Sequence, residues 1–338
     1  MRLRDGLQVL RRTATEVQVG TDPRWAVRLT DLTSAEADLL LSVGPRTDLG
    51  RVLGAAARRG LDGERVQALV GVLVEARLTD DHPPRAVLRG PAAADATTWS
   101  LLRADGDGAG LVRARAQRVV AVLGLGPTGL GIAVGLAAAG VGTLLLDDER
   151  PVRSTDVGVC GYRWADAGAP REHVAARILR DVAPHVSTLS QRPADAVVLV
   201  EDGVADPMRG PVLVCGATAH LSVVIREADT VVGPFVVPGA GPCLRCLDLH
   251  RADADASWPT IATQLRAGTA DESGVVAAVC AGLAASAVLA HLDRVAGLAP
   301  GVTFEVALPD AVPRRRTWAV HPECGCTALP ASPAGAPV

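Results

Sequence analysis

Along this chain, short unbroken apolar runs alternate with longer stretches of helical period. Val119–Leu123 (VVAVL) and Thr143–Leu146 (TLLL) are the kind of run that predicts strands buried on both faces. Between them, Gly124-Leu125-Gly126-Pro127-Thr128-Gly129 opens into small and apolar residues that read as a tightly packed helix, closed by Gly140-Val141-Gly142. The second strand delivers Asp147, Asp148 and Glu149 at its carboxyl end. Downstream, Pro170–Val182 has a helical spacing that puts Val174, Ile178 and Val182 on one face. Val197–Val200, Val212–Cys215 and Thr303–Leu308 read as further buried strands. Val231-Val232 and Phe235–Val237 do so too, interrupted by Gly233-Pro234. Val275 to about Ala296 reads as a long apolar helix. Strands alternating with helices predict an α/β, doubly wound sheet over residues 118–326.

Residues 1–81 follow another rhythm. Glu16–Gly20 and Arg24–Leu29, split by Thr21-Asp22-Pro23, predict a β-hairpin. Thr33 and Glu36 have capping-box spacing and start a helix. Thr47-Asp48 caps a second helix through Arg59, and Asp62 starts a third that ends near Ala76. A hairpin plus three short helices is a winged-helix-like pattern, suited to partner recognition, to dimerisation or to packing against the larger unit. Its arginines are interspersed with acids rather than clustered, which argues against nucleic acid. Residues 82–117 read as a linker and entry helix: Asp80–Ala94 is rich in Pro, Gly and Ala, and Thr97–Arg103 is a short helix. The tail, residues 327–338, has the composition of a disordered segment.

A length of 338 residues exceeds one ordinary core and fits this two-unit division. A net charge of −3 gives no reason to expect nucleic acid or an anionic membrane as partner. Val275–Leu292 comes nearest to a membrane span, but Cys280, Ser286 and His291 suit a buried helix better. The N-terminus has no signal-peptide apolar core, so the expected location is cytoplasmic. All 34 basic residues are arginine, so no lysine of this chain can meet a phosphate or form a Schiff base.

The candidate chemistry lies in two places. The strand–Gly loop–helix–strand–acid unit has nucleotide-fold geometry: glycines let backbone N–H groups approach a phosphate, and an acid about twenty residues on can hold a ribose. Cys243 and Cys246 form a CxxC pair and Cys324 and Cys326 a CxC pair, together the four thiolates of a closed structural zinc site. Redox use of Cys243 and Cys246 is the alternative. His250 and His321 lie close enough in sequence to substitute as ligands, but read as packing histidines. Cys215 and Cys280 read as core, and Cys160, in VGVCGY, as an unactivated loop thiol.

The run AVLGLGPTGLGIAVGLAAAGVGTLLLDDE, followed by GAPREHVAARILRDVAPHV, DAVVLVEDG and PCLRC, resembles the ThiF/MoeB-like, ubiquitin-activating-type adenylyltransferases over about Val119–Cys326. The resemblance implies a ThiF-type Rossmann-like sheet and a homodimer that adenylates the C-terminal carboxylate of a small protein with ATP and Mg²⁺. It maps the family's Gly loop onto Gly124, Gly126 and Gly129, its acids onto Asp147 and Glu149, and its metal-binding Asp onto Asp202. The family's Ser-Asn-Leu-x-Arg-Gln segment stands here as Ser154-Thr155-Asp156-Val157-Gly158-Val159, without the Asn and the Arg, and Arg171 replaces the helix-start Lys. Losing one cationic finger costs roughly three or more orders of magnitude in phosphoryl-transfer enzymes. Arg150, Arg153 and Arg171 are the cations left to compensate, and Arg171 and Asp202 are the catalytic candidates.

A narrower resemblance rests on the small N-terminal unit, RPVRSTDVGVCGYR, GPCLRCLDLHR and HPECGC. These are similar to the ThiF-like cyclodehydratase-partner proteins of azole-forming (TOMM) peptide biosynthesis. In that group the N-terminal unit binds a precursor's leader peptide as an added β-strand, and a separate YcaO-type partner uses the ATP. Three functions stand open at this stage: a peptide-binding scaffold, an active adenylyltransferase and, last, a nicotinamide-dependent oxidoreductase.

Overall fold

The computed structural model describes residues 2–44, 47–80, 88–266 and 268–327. The chain divides into two compact units, Met1–Arg113 and Ala114–Val338.

The first unit holds β1 (Arg2–Leu3), β2 (Val9–Arg11), β3 (Val17–Val19), β4 (Val27–Leu29), α1 (Ser34–Leu41), α2 (Leu49–Arg58), α3 (Gly63–Glu75), β5 (Thr79–Asp80) and α4 (Pro91–Leu102). The helix starts follow the capping chemistry read from sequence. The Thr33 hydroxyl accepts from the Glu36 N–H at 3.2 Å, and the Glu36 carboxylate accepts from the Thr33 N–H at 2.7 Å. Asp48 and Asp62 cap α2 and α3 with a single bond, each accepting a backbone N–H at 3.0 Å. The expected hairpin is β3–β4, and β2 joins it to make an antiparallel sheet of order β2-β3-β4. The third strand escaped the sequence reading because Val9–Arg11 is short and only partly buried. Val17, Val19 and Leu29 form one core with Leu39, Leu40, Val66, Leu69 and Leu73 of the helices.

Residues 81–87 of the expected linker, Asp80–Ala94, lie outside the described residues. Its end does not: α4 starts at Pro91, because proline is well suited to the first helical position. The Arg4 guanidinium closes the other end of that helix, donating to the carbonyls of Arg103 and Ala104 at 2.7 Å. A short helix not foreseen from the sequence, α5 (Gly108–Arg115), carries the chain across the boundary between the units.

The second unit is built on a seven-stranded sheet of order β12-β11-β10-β9-β8-β6-β7. Its strands are β6 (Val119–Leu123), β7 (Thr143–Asp147), β8 (Ala196–Asp202), β9 (His220–Ile225), β10 (Asp229–Val236), β11 (Val302–Ala307) and β12 (Arg314–Thr317). Its helices are α6 (Pro127–Ala138), α7 (Arg171–Val182), α8 (Arg209–Cys215), α9 (Leu244–Ala254), α10 (Trp258–Leu265) and α11 (Gly274–Leu292). β7, β6, β8 and β9 are parallel, as a doubly wound sheet requires, but β9 to β12 pair antiparallel. The sheet is therefore mixed. The link from β9 to β10 is a tight reversal, too short for the crossover that a parallel neighbour needs.

Three further corrections follow. Val212–Cys215, read as a strand, is the end of α8, and Cys215 is exposed rather than core. A four-residue apolar run cannot separate strand from helix by period. Val231–Val237 is not two pieces: β10 runs through Gly233-Pro234 with a bulge between Val232 and Phe235. β12 is wholly exposed and reads RRRT, a charged edge strand that apolar patterning cannot find. Among the described residues, α11 is the one helix long and apolar enough to cross a membrane. Its Val276, Cys280, Ala284 and Val288 are buried in the core, and it packs on α6.

Candidate functional site

β6, β7 and β8 end side by side, and α6 leaves from β6 while β8 lies on the opposite side of β6 from β7. That is a topological switch point, where open α/β sheets hold ligands. The loop between β6 and α6 turns there because Gly124 adopts φ +92°, and a Cβ at that position would fall 2.1 Å from the Val200 carbonyl oxygen. Only glycine permits this approach of β8 to the loop. Gly126 caps α6 and Gly129 lies in its first turn.

The loop is held from both sides. Its Leu125 N–H donates to Asp148 at 2.8 Å, and its Leu125 carbonyl accepts from the buried Tyr162 hydroxyl at 2.7 Å. At the start of α6, the Thr128 N–H donates to the Glu272 carboxylate at 2.9 Å. The backbone donors at Leu125 and Thr128 are thus taken by carboxylates of the same chain.

In front of the loop lies a cleft of about 450 Å³ lined by Gly124, Asp147, Asp148, Glu149, Arg150, Val200, Glu201, Asp202, Val204, Asp206, Arg209, Arg266 and Gly268. Of the residues expected to bind a cofactor, the structure brings Gly124, Asp147 and Glu149 to this cleft, with both acids exposed. The acid that organises the site is the one between them. Asp148 is buried and accepts from Arg150, from Leu125 and from Arg171. Burial opposes its ionisation, but these hydrogen bonds outweigh burial and bring its pKa down to about 2.

Arg171 does not line the cleft. It is 2% exposed and sits between Asp148, at 2.9 Å, and Asp156, at 2.6 Å. Asp202 does line it, at the end of β8, paired with Arg150 at 2.9 Å. The other two arginines of the cleft are paired as well: Arg266 with Asp206 at 3.1 Å, and Arg209 with Glu201 at 3.6 Å. Six acids face three arginines around this cavity, and each of those arginines already has an acid. Arg153 points to Asp156 and Asp271, at 3.0 Å each.

Sequence reading missed Asp148, Asp156, Tyr162 and Glu272 as parts of this site. Asp148 stood in the acid run after β7, and Tyr162 in the segment between β7 and α7; Glu272 carried no local signal at all. Burial, with the Glu272 charge second, pushes the thiol of Cys160, which borders α6, up to about 11, which favours its protonated form. An apolar chamber of about 460 Å³ adjoins the cleft through Val204, Asp206 and Arg266, and its wall includes Leu244, Leu249 and Trp258.

The second candidate centre is formed by Cys243, Cys246, Cys324 and Cys326, all buried. Their sulfurs lie 4.0 Å (Cys243–Cys246), 3.7 Å (Cys243–Cys324) and 3.5 Å (Cys246–Cys326) apart. Tetrahedral zinc with bonds of about 2.3 Å sets its sulfurs roughly 3.8 Å apart, so the four thiols fit the ion. Cys243 stands at the N-terminus of α9 and Cys246 in its first turn, and the C-terminal CxC reaches them from Cys324 and Cys326. Without a cation, burial raises the Cys243 thiol and pushes Cys326 up to about 11. A bound zinc would hold the four as thiolates and, with every position filled by sulfur, would serve structure rather than catalysis.

His250 and His321 stand outside this tetrad. His250 Nε2 donates to the Ala319 carbonyl at 3.1 Å. His321 donates to Asp253 at 2.8 Å and accepts the Glu323 N–H at 3.1 Å. Both clamp the approach to the CxC pair onto α9.

No family model matches this sequence, and no curated protein matches it. Solved structures share its fold. E. coli MccB with ATP superimposes with a TM-score of 0.65 at 16% identity, over 96% of this chain and 98% of that one. The microcin C7 biosynthetic enzyme MccB in complex with N-formylated MccA gives 0.66 at 16%, over 96% and 99%. PaaA gives 0.66 at 18%, over 93% and 99%. The chain has the ThiF/MoeB-like fold.

Proposed function

We propose that this protein recognises a precursor peptide and presents it to a separate ATP-using enzyme of the YcaO cyclodehydratase type, in azole-forming peptide biosynthesis. The observation that carries this reading is the charge balance of the cleft. Adenylation needs cations where pyrophosphate departs. Here each arginine lining the cavity already pairs with an acid, and Arg171 is sequestered between Asp148 and Asp156.

The recognition element is the winged-helix-like part of residues 1–81. In its sheet, α1 packs on β2 and β3, while β4 pairs with β3 alone among the described residues, leaving an edge for an added strand. Gly124, Gly126, Gly129, Asp147 and Glu149 then keep the shape of a nucleotide cradle in the service of the scaffold. Cys243, Cys246, Cys324 and Cys326 hold a structural zinc, and the chain works as a homodimer in the cytoplasm.

A second reading is an active adenylyltransferase acting on a peptide C-terminus, with Asp202 binding Mg²⁺ and Arg171 as the cation. It is favoured by the extent of the structural match to MccB, which has been solved with ATP and with MccA.

ATP–pyrophosphate exchange separates the two. The purified chain with a precursor peptide and Mg²⁺ is expected to show no exchange, to bind the leader peptide by fluorescence anisotropy, and to bind it equally well as the Asp202→Ala variant. Formation of peptidyl-AMP by the chain alone would falsify the scaffold reading.

A further inference from the structure

The N-terminus of α6 is the place where this fold offers backbone donors and a positive helix end to an anion. Glu272 stands there. Its carboxylate accepts the Thr128 N–H at 2.9 Å, and a Cβ built on Gly126 would fall 2.4 Å from its Oε1. The carboxylate therefore rests against the bare side of the glycine, in the space a phosphate oxygen needs. The Thr128 hydroxyl, fully buried, faces the same carboxylate without closing a well-formed hydrogen bond.

The segment that carries Glu272 is held in place. Arg153 donates to the Ala270 carbonyl at 3.2 Å and pairs with Asp271 at 3.0 Å. The Thr155 hydroxyl donates to Asp271 at 3.3 Å. Arg153 in turn is anchored on Asp156, which is buried. Thr155 and Asp156 belong to the Ser154–Val159 segment, which has neither the Asn nor the Arg of the pattern it resembles, and Arg153 directly precedes it. Here this stretch grips the strap that seats a carboxylate on the helix.

We propose that Glu272 is a specificity-determining residue of the glycine loop beside the cleft: a built-in carboxylate that occupies the N-terminus of α6 and so excludes phosphate-bearing ligands. While it is seated, an arriving phosphate finds the Thr128 N–H taken and the bare side of Gly126 occupied by a carboxylate oxygen. Removing the carboxylate reopens the place to an anion, while Gly126 and the Thr128 donors stay as they are. The proposal rests on the reading of the cleft given above and explains which residue enforces it.

The test uses the full-length chain, inorganic pyrophosphate and Mg·ATP as probes, and isothermal titration calorimetry. Glu272→Ala is expected to bind pyrophosphate at least about tenfold more tightly than wild type, and Arg153→Ala, which loosens the strap, to fall between them. Glu272→Gln, which keeps the shape and removes the charge, is read by the same criterion if the alanine variant does not fold by circular dichroism. Equal binding by wild type and the Glu272 variants overturns the proposal. So does absence of binding in every folded variant, because α6 would then offer no anion position to guard. ATP–pyrophosphate exchange by wild type would end both this proposal and the scaffold reading. Equal pyrophosphate binding without exchange would end this one alone.

Discussion

The cleft and the cysteine cluster sit in the same unit, and each joins a short motif to a remote segment, yet they reach opposite charge balance. At the cleft and its glycine loop, three donors already face acids of the chain: Leu125 faces Asp148, Thr128 faces Glu272, and Arg150 faces Asp148 and Asp202. Among the four cysteines nothing of the kind occurs. Four buried sulfurs meet there with, among the described residues, no cationic side chain hydrogen-bonded to them, the geometry that suits a metal ion. In one centre the donors are met within the chain, and in the other four sulfurs stand where a metal ion fits. A glycine loop of nucleotide-fold pattern therefore says less about occupancy than the charge on the groups around it.

The most severe test of this contrast removes the metal. The chain is expected to carry about one zinc per molecule by metal analysis, and Cys324→Ser with Cys326→Ser to bring that below about half. Structural zinc is worth on the order of 10 kcal/mol in small zinc domains, so the melting temperature of the double variant should fall by more than about 10 °C. A protein that melts unchanged without metal would make the two centres alike. On the cleft side, Arg171→Met leaves Asp148 and Asp156 buried without their shared cation. Breaking a buried ion pair typically costs about 3–5 kcal/mol; with Arg150 still on Asp148 and Arg153 still on Asp156, the expected loss is at the low end of that range, read as a shift in urea midpoint. A loss under about 1 kcal/mol would mean the acids are satisfied by other groups and Arg171 is free for chemistry.

The smallest effect sharpens the comparison by pH. The folded pKa of Asp148 is about 2, below its ordinary 3.8, so its stabilising contribution is complete above about pH 4. It disappears as pH falls through about 2. The shift corresponds to about 2 kcal/mol, which Asp148→Asn should remove from the acid limb of a stability–pH profile. Glu272 acts in the opposite sense: burial raises its pKa, so protonation as pH falls favours the folded state and blunts the acid loss. A profile that is flat for wild type and variant alike between pH 4 and 2 would show that Asp148 is not held as an anion.

Much of this protein was determined by its sequence alone. The β6–Gly loop–α6–β7 unit was legible because buried strands and a helix that starts at proline and glycine carry their signals within a few neighbouring residues. So were the caps at Thr33, Asp48 and Asp62, where a side chain bonds a backbone N–H two or three positions away. The two cysteine pairs announced each other by residue type, because four thiols in close pairs have few other uses. Tertiary structure alone decided which acid is buried among Asp147, Asp148 and Glu149, since three adjacent carboxylates look the same until a fold turns one inward. It also decided that β9 to β12 run antiparallel, and that Arg171 is sealed between Asp148 and Asp156. Above all it placed Glu272 on the Thr128 N–H, 144 residues away along the chain. A contact of that span leaves no periodicity and no local motif; it exists only because the packing of α11 and its preceding segment brings one carboxylate to the positive end of α6.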